Sequence, residues 1–289
     1  MSQYVPWSSQ PLEDWAERHA AGAFIELDGR KTHYIERGEG EPLILLHGFF
    51  YDSFLWARNI DALAQRYKVH AIDLWGCGYS TREPLDYGYP LFARQLRAFM
   101  DAKGIARASL VGQSMGAGTA IRFCVEHRER VDKLLFVSAA GMPNPLPPMA
   151  KFFNLPVIGE FFLGLKTDAI RKKALTDVFI HDASLATDAY FEQVTRAQKI
   201  LGSNESGLRM QRNAFFDTLE PEIRRLGALQ VPIQLVWGRQ DKAIPLARGE
   251  AMQALLPGAR LEVLDPAGHV SNFEQAERFN ALALAFLGE

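Results

Sequence analysis

Apolar positions along this chain come in short bursts separated by longer stretches of helical period. A short helix is predicted over 11–21, with Pro11 early, Glu13 and Asp14 in the first turn and Gly22 after the end. Phe24, Ile25 and Leu27, then His33, Tyr34 and Ile35, flank Asp28-Gly29 as the two arms of a β-hairpin would. The apolar run 43–46 lies between Pro42 and Gly48 and is too short for a helix, so it reads as a buried strand of the parallel type. Beyond it the two periods alternate: a helix over 54–66, a strand over 68–73, a helix over 90–103, a strand over 108–112, a helix from 115 and a strand over 133–138.

The rhythm stops at Gly141, where a proline-rich stretch opens a mostly helical segment, and resumes with a strand over 233–237. A helix near 246–255, a strand over 260–264 and a closing helix over 272–287 follow. Strands alternating with helices need crossover connections, so the fold class is α/β with a mainly parallel sheet covered by helices on both faces. Ligands of such sheets gather at the carboxyl ends of the strands. The expected organisation is an N-terminal extension over 1–22, a core made of 23–141 and 229–289, and an inserted helical cap over 142–228.

Composition narrows the functional classes. With 289 residues, 48% hydrophobic and 23% charged, the chain can bury one large core. Its 32 basic and 34 acidic residues leave a formal charge of −2, which gives no support to nucleic-acid binding. The two cysteines, Cys77 and Cys124, fall in a predicted loop and a predicted helix and are expected to be free thiols. No signal peptide is readable at the start, so a cytoplasmic location is expected. The most apolar stretch, 152–165, is interrupted by Asn154 and Glu160 and is too short to span a bilayer; stable membrane insertion is not expected, and contact with a lipid interface stays open.

The string Gly112-Gln113-Ser114-Met115-Gly116 follows an apolar strand and precedes a helix rich in small residues, Ala117, Gly118 and Ala120. In that setting the glycines permit a sharp turn that projects the serine hydroxyl, while the helix N-terminus favours developing negative charge. A serine hydroxyl needs a base to take its proton, and imidazole titrates in the right range. Among seven histidines, His269 in Pro266-Ala267-Gly268-His269 follows a strand and precedes the last helix, which puts it on the rim where the serine lies. His19, His127 and His181 fall in helical segments, and His33 and His70 in strands, where packing roles are expected. The imidazole needs a carboxylate to orient it. Asp241, just past the strand over 233–237, fits the chain order Ser, Asp, His; Asp265 is the rival, but its closeness in sequence makes facing His269 harder. The loop His47-Gly48-Phe49-Phe50 ends the first parallel strand, where a backbone N–H can aim at the same point as that of Met115; His47 itself is expected to brace the loop.

These residues together resemble the α/β-hydrolases, in particular their esterase, lipase and meta-cleavage-product hydrolase branch. The resemblance covers 23–141 and 229–289 and rests on His47-Gly48-Phe49, on 73–80, on 112–116, on Trp237-Gly238-Arg239-Gln240-Asp241 and on Gly268-His269. It implies Ser114 as nucleophile, His269 as base, Asp241 as orienting acid, and the N–H groups of Phe49 and Met115 as the oxyanion hole. Dehalogenases and epoxide hydrolases of this fold carry aspartate where this chain has Ser114, and meta-cleavage-product hydrolases usually carry tryptophan where it has Val270.

The expected function is therefore a serine carboxylic-ester hydrolase acting on small to medium apolar esters without metal or organic cofactor. A carbon-carbon bond hydrolase is the alternative, and a non-catalytic ligand-binding protein on the same scaffold the third. The only partner implied is a small-molecule ester. Phe50, Phe152, Phe153, Phe161, Phe162 and Val270 are the candidate pocket residues.

Overall fold

The computed structural model describes residues 4–145, 154–165 and 167–289. Eight strands form one sheet: β1 (Ala23–Leu27), β2 (Arg30–Arg37), β3 (Glu41–Leu46), β4 (Tyr67–Ile72), β5 (Ala108–Gln113), β6 (Val131–Val137), β7 (Ile233–Gly238) and β8 (Arg260–Leu264). Their spatial order is β1-β2-β4-β3-β5-β6-β7-β8. The pairs β1/β2 and β2/β4 are antiparallel and all others are parallel. The hairpin turns at Asp28 and Gly29, both with positive φ, as a tight turn between right-twisted strands requires.

The continuous apolar reading of β3 follows from its place between β4 and β5. Ile44 and Leu46 enter one apolar cluster, with Leu110, Phe136 and Trp237, while Leu43 and Leu45 enter a second, with Val111, Val137 and Val236. Residues one apart thus feed opposite faces, and both faces are covered. The first face packs against α3 (Tyr89–Ala102) and α4 (Met115–Glu126), the second against α2 (Ile60–Leu63) and the closing helices α11 (Ser271–Glu274) and α12 (Ala276–Gly288).

Two predicted helices are broken. In place of one helix over 54–66 there is a 3-10 turn, Ser53–Trp56, followed by the single turn of α2. Asn59 separates them, and its side chain is spent on the Asn272 carbonyl and Asn280 Oδ1. The closing helix divides at Gln275, whose φ of −114° and ψ of 48° leave the helical region.

Between β6 and β7 run α5 (Ile158–Gly164), α6 (Asp168–Ala174), the π turn Leu175–Phe179, α7 (Asp188–Thr195), α8 (Ser203–Arg212) and α9 (Glu220–Gly227). The last of these packs on α4, with Ile223 and Leu226 in the first apolar cluster. The N-terminal segment, which carries α1 (Leu12–His19), crosses over this insertion: Ser9 and Gln10 donate their N–H groups to the Lys199 carbonyl, and Trp15 Nε1 donates to the Arg196 carbonyl at 2.9 Å. After β7 come α10 (Leu246–Leu255) and β8. Among the described residues no helix is long and apolar enough to cross a membrane.

Candidate active site

Ser114 occupies the junction of β5 and α4 with φ 50° and ψ −114°, a conformation that a side-chain-bearing residue adopts only when its surroundings impose it. They do so here. Its N–H donates to the Val137 carbonyl at 2.9 Å, and its carbonyl accepts from Ala117, Gly118 and Ala140. The flanking glycines are required by close approach, since a Cβ on Gly116 would overlap the Leu46 carbonyl and one on Gly112 would overlap the Ala117 backbone. Met115 opens α4, so the serine stands at the N-terminal, positive end of that helix.

His269 and Asp241 meet at the ends of β8 and β7. Asp241 Oδ2 lies 2.9 Å from His269 Nδ1, and Asp241 Oδ1 accepts from the N–H groups of Ala243 and Ile244, both at 2.9 Å. Nδ1 therefore carries the proton it gives to Asp241, which leaves Nε2 as the basic nitrogen. Gln113, the residue before Ser114, donates its Nε2 to the His269 carbonyl at 3.0 Å and so ties the serine turn to the histidine loop. Asp265 takes no part: it pairs with Arg239 and accepts from Gln240 on the surface.

The loop after β3 completes the cluster. A Cβ on Gly48 would stand 3.1 Å from Ser114 Cβ, which puts this loop directly over the serine. His47 is fully buried; burial pushes its imidazole toward the neutral form, Nδ1 bonds the Gly48 carbonyl at 2.8 Å and Nε2 accepts from the Leu74 N–H at 3.0 Å. It braces the loop, as expected. Phe49 and Phe50 follow with ring centroids 3.9 Å apart, and the Phe50 carbonyl accepts from Gln198 of the insertion.

A cavity of about 390 Å³ opens between this loop and the insertion. Phe49, Phe50, Tyr51, Phe162, Leu163, Ile170, Val194, Leu208 and Met210 give it an apolar wall, and Asp52, Arg82 and Arg171 also line it. Ser114 and His269 do not line it, whereas Phe49 and Phe50, which follow Gly48 on the loop over Ser114, do.

The sequence pattern of the alpha/beta hydrolase fold matches residues 41–276. The chain belongs to that family. This hydrolase is 33% identical over 277 residues to a 2-hydroxy-6-oxononadienedioate/2-hydroxy-6-oxononatrienedioate hydrolase of Paraburkholderia phymatum, covering 90% of this chain and 91% of the relative. It is 32% identical over 295 residues to the dihydrolipoyllysine-residue acetyltransferase component of the acetoin cleaving system of Cupriavidus necator, covering 100% of this chain and 75% of that one. A meta-cleavage product hydrolase from Pseudomonas fluorescens IP01 superposes with a TM-score of 0.81 at 29% identity, over 92% of this chain and 97% of the other.

The pocket residues named from sequence divide. Phe50 and Phe162 line the cavity of the hydrolase. Phe161, on α5, is 63% exposed and lies off the cavity, because the turn of the helix that brings Phe162 inward carries its neighbour out. Val270 is also off it: its side chain is buried in the second apolar cluster with Leu264 and Ala267. Phe152 and Phe153 lie outside the described residues. His181 sits in a bend past the π turn rather than in a helix. Cys77 and Cys124 are free and buried; burial pushes the Cys77 thiol, on the cavity wall, up to about 12, so it offers no nucleophile.

Neither Asp73, at the end of the strand expected over 68–73, nor Asp52 stood out from the sequence. Asp73 is fully buried beyond β4, accepting from the His33 ring at 2.7 Å and from the N–H groups of Ser53 and Tyr79. Burial opposes its charge, but His33 and these donors hold its carboxyl down at about 2. Asp52 has Phe54 N–H as its donor; burial first, and the Asp73 charge second, raise its carboxyl to about 7. An acid raised above its unfolded value near 4 loses stability for the fold as pH climbs from about 4 to about 7, since the unfolded chain ionises first. Asp52→Asn keeps the bond to Phe54 and removes that penalty. The Tm of the variant relative to wild type is expected to rise between pH 4 and pH 8, and a difference that stays flat over this range refutes the assignment.

Proposed function

We propose that this hydrolase is a serine esterase that cleaves esters of apolar acids or alcohols through an acyl-enzyme. The observation that carries the reading is the strained Ser114 turn, tied through Gln113 to a histidine whose Nδ1 is held by Asp241. In this reading Ser114 Oγ attacks the ester carbonyl while its proton passes to His269 Nε2. The N–H groups of Phe49 and Met115 hold the oxyanion, each worth about 3 kcal/mol of barrier. His269 then protonates the leaving alcohol, and water repeats the sequence to release the acid. No metal or organic cofactor enters. Of the expected cap over 142–228, the part from α5 to α8 serves as the cap while α9 packs on α4 of the core, and the cavity lined by Phe49 and Phe50 receives the apolar part of the substrate.

Carbon-carbon hydrolysis is the second reading, favoured by the names of the relatives that are 33% and 29% identical. A dienedioate brings carboxylates that need free cationic donors. Among the described residues the guanidiniums on the cavity are engaged by neutral acceptors: Arg82 gives its N–H groups to Ser203 Oγ and the carbonyls of Cys77, Ser80, Gly78 and Ala197, and Arg171 bonds Thr167, Gln198 and Asn204. An apolar ester is matched by the apolar wall itself, and esters take precedence for that reason.

The test is steady-state hydrolysis of nitrophenyl esters of two to sixteen carbons beside a chromophoric ring-fission dienoate, with a serine-reactive phosphonate and intact mass. Ester turnover and one phosphonyl adduct on Ser114 support the reading. Turnover of the dienoate alone moves the assignment to carbon-carbon cleavage, and neither turnover nor adduct refutes both.

A further inference from the structure

His269 is also held from its backbone side. Glu274 ends the short helix α11, and one of its carboxylate oxygens, Oε1, accepts the N–H of Gly268 at 2.6 Å. The other, Oε2, accepts the N–H groups of His181 at 2.7 Å and Asp182 at 2.9 Å. The first donor directly precedes His269; the other two belong to the insertion, just past its π turn. A fourth bond closes the joint, from the His269 N–H to the Phe179 carbonyl at 2.9 Å, and the Phe179 ring lies 5.6 Å from the imidazole between centroids. Gly268 has no room for a side chain there, since a Cβ would stand 2.8 Å from the Phe179 oxygen, 2.9 Å from His181 N and 3.0 Å from Glu274 Oε1.

We propose that Glu274 is a positioning residue: by accepting backbone N–H groups from both the His269 loop and the insertion, it fixes where the imidazole stands and makes that position depend on the insertion. The proposal rests on His269 acting as the base of the esterase described above. Bonds from N–H groups to a carboxylate are about twice as strong as neutral ones, and only a carboxylate offers acceptor oxygens on both sides. The amide of glutamine has the same shape but one oxygen. In Glu274→Gln either Gly268 or the His181–Asp182 pair faces an NH2 group, donor against donor, and that side of the joint opens. Pocket-lining residues and Ser114 are untouched.

The experiment compares wild type, Glu274→Gln and Glu274→Asp for kcat, KM and the rate of phosphonate labelling, with Tm as the control on folding. Glu274→Gln is expected to lower kcat and the labelling rate together by about 10- to 100-fold, with KM little changed. Glu274→Asp, which keeps two acceptor oxygens, should fall between the two, and it carries the same test where the glutamine variant does not fold. Unchanged kcat and labelling, or a loss of kcat/KM carried by KM alone, overturns the positioning role. Absence of an adduct on wild type instead overturns the esterase reading, so the two failures are told apart.

Discussion

Ser114→Ala is expected to remove ester turnover, lowering kcat by about 100,000-fold or more, while Tm stays close to that of wild type. The size of the effect follows from a unit in which nucleophile and base work together: without Oγ, His269 has no proton to take and no acyl-enzyme forms. The small effect on folding follows from the backbone. Ser114 keeps its φ of 50° through its N–H to Val137 and the bonds its carbonyl accepts from Ala117, Gly118 and Ala140, and none of these uses the hydroxyl. Alanine carries the same Cβ into the same turn, so the strain is unchanged. Affinity for the apolar part of the substrate, measured by binding of a non-hydrolysable ether analogue to the alanine variant, should persist, because the cavity wall contributes it and Ser114 does not line that wall. Ester turnover that survives the substitution would sink the serine mechanism.

What the sequence made legible, and what it hid, divides along physical lines. β3 is buried on both faces from Leu43 to Leu46 and reads there as an apolar run, and β5 and β7, buried throughout, keep that reading although Ser109, Gln113 and Gln234 interrupt it. The turn at Ser114 announced itself because two glycines are the only residues that fit beside Leu46 and Ala117. Asp241 could be preferred over Asp265 because a residue so near His269 in sequence has few ways to face it, and Asp265 indeed turns to Arg239. The broken helices were not legible: the interruption at Asn59 depends on partners in α11 and α12, far along the chain. The pocket was only half legible for a similar reason. Helical phase on α5 separates Phe161 from Phe162, and no local pattern sets that phase when both neighbours are aromatic. Glu274 gave no signal at all, since its partners are backbone N–H groups, which every residue carries.

Asp241→Asn is expected to lower kcat by about 10,000-fold with little change in KM or Tm, because it reverses the direction of one hydrogen bond. The Ala243 and Ile244 N–H groups both point at Oδ1. An asparagine in this place keeps its carbonyl oxygen on those donors, since the flipped amide would set NH2 against two N–H groups. Its NH2 therefore takes the position of Oδ2, 2.9 Å from His269 Nδ1. An amide there donates, so Nδ1 must accept and the ring proton moves to Nε2, the nitrogen that has to receive the serine proton. The base is lost through its tautomer while the packing stays as it was. Asp265→Asn is the matched control: its carboxylate faces Arg239 and Gln240 on the surface, and its loss should leave kcat within about twofold of wild type. Steady-state kinetics on both variants, with Tm for each, decides the matter. Equal losses in the two would mean that neither carboxylate orients the base, whereas a loss confined to Asp241→Asn ties the reaction to the one carboxylate whose second oxygen the backbone has already fixed.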